Sequence, residues 1–122
     1  SSLQMGIETV LDAVKFDELL SDADMVLSGE GKLDSQSLRG KVVIGVARRT
    51  RKHGVPLLAI VGDVGDDIEA AYAEGVTGIF SINRVAVPYS EARCRARNDL
   101  ALTMENLLHF MKHILSSHKT LI

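Results

Sequence analysis

A chain of 122 residues, 46% hydrophobic and 25% charged, has the size and balance of one globular domain able to bury a real core. A net charge of −2 excludes whole-domain attraction to nucleic acid or to a membrane surface, and no apolar run reaches the roughly 18 residues of a membrane span. Cys94 is the sole cysteine, so an intrachain disulfide is excluded and a reducing, cytoplasmic setting is expected.

Ser1 to Gly6 lacks the basic start and apolar middle of a signal peptide, and no initiator Met is present, which predicts a chain that begins inside a longer protein. Ile7–Val14 and Phe16–Leu20 then read as one helix or a broken helical pair. Asp24–Ser28 is a short apolar run stopped by Gly29 and Gly31, as for a buried strand. Gly40–His53 turns helical, with Val42, Val43, Val46 and Ala47 on one side. Arg48, Arg49, Arg51, Lys52 and His53 favour the negative end of its dipole. Gly54 supplies the C-cap at positive φ, and Pro56 forbids continuation.

Leu57–Val61 is a second apolar strand closed by Gly62. Asp66–Glu74 follows as a short helix ended by Gly75, and Thr77–Ile82 is a third strand. After Pro88, Ser90 is the expected N-cap of a long amphipathic helix carrying Leu100, Met104, Leu107, Leu108, Met111, Ile114 and Leu115. Strands apolar throughout and alternating with helices imply an α/β domain in three layers, with a parallel sheet covered on both faces. Three strands are few for such a sheet, so further strands are expected from outside this segment.

Ligands of open parallel sheets bind at the carboxyl ends of the strands. The expected loops there are Gly29–Arg39, Gly62–Asp67 and Asn83–Tyr89, and the first is richest in reactive groups. Gly29 and Gly31 would let a ligand approach the backbone. Glu30 and Asp34 suit a divalent cation or a hydroxyl proton, and Lys32, Arg39 and Lys41 suit a carboxylate or phosphates. These are the parts phosphoryl transfer needs, although a polar turn leading into an N-cap has the same composition. The segment is not a Walker A loop, since Ser35 stands at its first glycine and Val42 at its Ser/Thr. Nor is it a dinucleotide fingerprint, since Asp34 stands at the third glycine.

Asp63, Asp66 and Asp67 could bind a metal, but the latter two read better as a helix start. His109 and His113 have the spacing of a helical metal pair but no nearby HExxH-like acid, and read as a solvated face. Arg93, Arg95 and Arg97 would spread around a helix instead of forming a patch, and Cys94 has no CxxC partner.

The run from Ala23 to Ser37, with its Gly29-Glu30-Gly31-Lys32-Leu33-Asp34-Ser35-Gln36 block, resembles the bacterial glycerate kinases, which use ATP to phosphorylate glycerate on its 2-hydroxyl. The likeness continues through Gly40-Lys41, Gly45–Arg48, His53–Pro56 and Phe80–Ile82, in order and over nearly the whole chain. Lys32 stands where that family often has arginine, and Val43-Ile44 replace a Pro-containing pair. The family's Asp-Ser-Phe-Lys-Gly motif is absent, and its members are about three times as long.

The resemblance implies a two-domain kinase using ATP and Mg²⁺, in which residues 1–122 form one Rossmann-like segment, the C-terminal contribution to a domain assembled from both chain ends. By that likeness Asp34 and Lys41 are the catalytic residues, Asp34 as the base or metal-linked carboxylate near the glycerate hydroxyl and Lys41 as an anion or substrate contact. Glu30 is a Mg²⁺ or substrate contact, and Gly29, Gly31, Lys32 and Gln36 are substrate contacts. The segment would pack against the N-terminal part of the same protein. Alone, it would associate through Ile7–Leu20 or an open sheet edge. The alternatives are a non-catalytic nucleotide- or metabolite-binding domain, and a structural segment whose loop is only a turn.

Overall fold

The computed structural model describes residues 2–33, 41–66 and 68–117. The chain divides into two units, Ser1–Ser81 and Ile82–Ile122. The first holds α1 (Ser2–Ala13), α2 (Phe16–Leu20), β1 (Val26–Leu33), α3 (Lys41–Lys52), β2 (Leu57–Val64), α4 (Glu69–Glu74) and β3 (Gly78–Ser81). The second holds α5 (Tyr89–Ser117).

The three strands form one sheet in the order β1-β2-β3, with both pairings parallel, so the segment is the α/β, Rossmann-like piece expected. β2 lies at its centre, and its first five residues, Leu57–Val61, are all buried, as a continuous apolar run should be. Leu57, Ala59 and Val61 join a core cluster with Leu11 of α1, Val43, Val46 and Ala47 of α3, Ala71 of α4, and Val76. Fully burying side chains such as Leu57 and Val43 contributes about 1.5–3 kcal/mol each.

The first two helices are the broken pair. The chain turns at Lys15, a non-glycine residue at φ 56°, whose carbonyl accepts the Glu18 N–H at the start of α2. α1 then lies on α3 at Gly45, where a Cβ would stand 2.7 Å from Ile7 Cγ2. Helix α3 ends as its composition dictates: Gly54 takes φ +68°, and the Val55 N–H reaches back to the Thr50 carbonyl at 2.9 Å.

The basic end of α3 does more than complement a dipole. Arg49, 13% exposed, bonds Glu8 Oε2 at 2.7 Å, Asp12 Oδ1 at 2.8 Å and Asp17 Oδ2 at 3.3 Å, tying α1 and α2 to α3. Arg48 pairs with Glu74 of α4 at 2.8 Å, and Arg51 donates to the Ala73 carbonyl. Both Arg48 and Arg49 are held above the ordinary guanidinium pKa, chiefly by the hydrogen bonds they donate to these carboxylates.

Several expected boundaries move. β1 and β2 run past Gly29 and Gly62 because an extended glycine still makes ladder hydrogen bonds. Helix α4 starts at Glu69, capped by Ile68 without a side-chain bond, so Asp66 lies before it and does not begin it; Asp67 lies outside the described residues. The Pro88 carbonyl accepts the N–H groups of Glu91 at 3.0 Å and Ala92 at 2.9 Å, so the start of α5 is closed there and Ser90 sits inside its first turn. In the α5 stripe Leu107 is buried, whereas Leu100, Leu108, Ile114 and Leu115 are exposed.

A candidate active-site edge on the parallel sheet

The residues singled out in the glycine-containing segment are strand residues first. Gly29, Glu30, Gly31, Lys32 and Leu33 complete β1 and are not the start of the expected Gly29–Arg39 loop. Gly29 pairs with Ile60, and the positive-φ glycines among the described residues are Gly54 and Gly75. A Cβ at Gly29 would meet nothing nearer than the Ile60 carbonyl oxygen, at 3.9 Å, so a small side chain there would make only ordinary van der Waals contact.

The ladder sets the spacing of the reactive groups. Glu30 is in register with Val61, Lys32 with Asp63 and Leu33 with Val64. Two opposite charges thus occupy one register position at the carboxyl end of β1 and β2, and a second carboxylate stands two residues before Lys32. Glu30 is half-buried, and Asp63 is exposed. The end of β3 is joined to the same edge, for Ser81 Oγ donates to the Gly62 carbonyl at 3.0 Å. This bond holds the chain ends of β2 and β3 together where a ligand would approach.

Asp34 and Gln36 lie outside the described residues, as does Arg39. Of the residues described on either side, Leu33 ends β1 and Lys41 opens α3. Asn83–Tyr89, the third expected loop, belongs to the second unit, and its last residue already opens α5. No group of three or more His, Cys, Asp or Glu side chains suited to a metal occurs among the described residues.

Sequence reasoning missed the Ser81–Gly62 bond and the Lys32–Asp63 register. The register had a readable signal: Lys32 and Asp63 each stand six residues after the first residue of their strand. The depression lined by Arg48, Arg51, Lys52 and Glu74 is a junction between α3 and α4, crossed by the Arg48–Glu74 pair.

The Glycerate kinase family profile matches residues 1–112. The glycerate kinase of Bacillus subtilis is 42% identical over 92 residues, covering 75% of this chain and 24% of that protein. The glycerate kinase of Neisseria meningitidis is 40% identical over 111 residues, 91% of this chain and 30% of its own length. The glycerate 2-kinase of Escherichia coli is 35% identical over 111 residues, 85% and 29% respectively. The parallel sheet with its connecting helices makes this an α/β, Rossmann-like segment, and this chain belongs to the glycerate kinase family. It spans less than a third of the length of these curated relatives. No helix among the described residues is long and apolar enough to cross a membrane.

Proposed function

We propose that this chain is the C-terminal share of the Rossmann-like domain of a two-domain, cytoplasmic kinase that transfers the γ-phosphoryl group of ATP to the 2-hydroxyl of glycerate. The observation that carries the reading is the family match over residues 1–112, within which the Gly29–Gln36 block begins on the carboxyl edge of a parallel sheet. The N-terminal part of the same protein supplies the rest of that domain and the other wall of the cleft.

In this reading Asp34 accepts the glycerate hydroxyl proton as the oxygen attacks the γ-phosphorus of ATP, and ADP leaves. Lys41, at the first position of α3, and Lys32 neutralise the anionic substrate, with Gln36 donating a further hydrogen bond. Gly29 and Gly31 keep side chains out of the space beside the substrate. Glu30 supplies a hard oxygen donor suited to Mg²⁺, which nucleotide sites hold through only one or two carboxylates plus phosphate oxygens. That donor chemistry fits. Mg²⁺ when bound would offset the phosphate charge.

The test is an assay of the full-length parent with glycerate, ATP and Mg²⁺, following 2-phosphoglycerate. Asp34→Asn should lower kcat by roughly 10²–10⁴, while changing stability by less than about 1 kcal/mol. Nucleotide binding without turnover in the parent protein would overturn the reading in favour of a non-catalytic binding domain.

A further inference from the structure

The second unit carries a pair of side chains that the kinase reading leaves unused. His109 and His113 are both exposed, one turn apart on the 29-residue helix α5. Their ring centroids are 4.8 Å apart and tilted at 52°. That is closer than the roughly 6 Å of axial rise between residues four apart, so the rings lean toward each other. His113 Nδ1 lies 3.3 Å from the His109 carbonyl oxygen. A carbonyl only accepts, so in that bond Nδ1 is the donor and the ring lone pair is left on Nε2. A hydrogen bond from the second ring nitrogen to a backbone carbonyl is also the contact that metal-ligating histidines habitually make, fixing tautomer and orientation.

From this geometry we infer that His109 and His113 form a two-histidine chelate for a borderline divalent transition ion such as Zn²⁺, Ni²⁺ or Cu²⁺. Two imidazole nitrogens bound to one zinc ion at about 2.0–2.1 Å stand roughly 3.4 Å apart, a separation that neighbouring rings with centroids 4.8 Å apart can present. Water completes the coordination. Glu105, exposed one turn before His109, adds negative charge to the same stripe. Imidazole donors select these ions over Mg²⁺, which prefers oxygen, so the site is chemically separate from the nucleotide metal. His113 also lies beyond the residues the family profile matches.

The inference stands apart from the kinase reading and is tested without any activity assay. Calorimetric titration of the full 122-residue chain with Zn²⁺ should show an ion whose affinity falls by about tenfold or more in His109→Ala and in His113→Ala, because two-point chelation becomes single-ligand binding. His53→Ala should leave that affinity unchanged, and excess Mg²⁺ should not compete. Zn²⁺ should raise the thermal midpoint of the parent chain and not of the double variant, by linkage to the folded helix. A double variant that binds Zn²⁺ as tightly as the parent chain, or equal losses in His53→Ala, would overturn the assignment. His109→Gln and His113→Gln, with far-UV circular dichroism, separate loss of ligand from loss of helix.

Discussion

The three positive-φ residues among those described make separable demands on the chain. Gly75 ends α4 at φ +117°, and a Cβ there would stand 2.6 Å from the Ala47 carbonyl oxygen and 2.8 Å from Arg51 Cβ. Gly54, at φ +68°, faces open space. Gly54→Ala should therefore cost only the left-handed penalty, about 1–2 kcal/mol. Gly75→Ala adds a backbone collision and should cost about 3 kcal/mol or more. Urea midpoints of the two variants measure the difference; equal losses would mean that Gly75 has room to shift. Lys15, at φ 56°, bears the same strain in the wild-type chain, so Lys15→Gly should be neutral or stabilising by up to about 1 kcal/mol. Gly54 was legible because cations, glycine and proline follow one another there. Gly75 was legible as a helix stop, but its collision partner was not, since Ala47 and Arg51 belong to a helix more than twenty residues earlier.

At the scale of elements, Arg49 decides how α1 and α2 sit on α3. Its guanidinium is mostly withdrawn from solvent, while Glu8, Asp12 and Asp17 are 40%, 72% and 41% exposed. Arg49→Met should cost about 1–3 kcal/mol, between the values for surface and buried pairs, and the loss should shrink in high salt. Glu8 first, then Asp12, raise the guanidinium pKa against the effect of burial. A raised folded pKa stabilises fully below the ordinary value and is lost only as pH rises through the raised one. Arg49 should therefore add no pH dependence near neutrality. Denaturation at several pH and salt values checks both statements. The helix was readable from its apolar period, yet this network was not, because its carboxylates lie 32 to 41 residues away in the chain. The same limit explains β1. Glycines signal turns locally, and only the partner strand β2 reveals that Gly29–Leu33 remains in the ladder.

For the molecule as a whole, alternation of apolar runs and helical periods was enough to read a parallel α/β sheet and its three strands. The candidate site was legible as a cluster of charges but not as geometry, since register is a property of two strands together. The 122-residue chain alone should show no glycerate phosphorylation above background, because phosphoryl transfer depends on a closed, positioned cleft. Turnover by the purified chain would show that one wall suffices. Leu108, Phe110, Ile114 and Leu115 are 49%, 60%, 55% and 74% exposed, so the chain alone should self-associate in sedimentation as concentration rises. A monodisperse monomer would contradict this. The pairing of β1 with β2 through Leu33↔Val64 also bears on what changes the protein can survive. A loop absorbs an added residue, but a ladder transmits it: one residue inserted after Glu30 would turn Lys32 and everything up to the strand end over to the opposite side of the sheet. Substitutions in this stretch alter chemistry one position at a time, whereas insertions and deletions should be lethal to function wherever they fall between Val26 and Leu33.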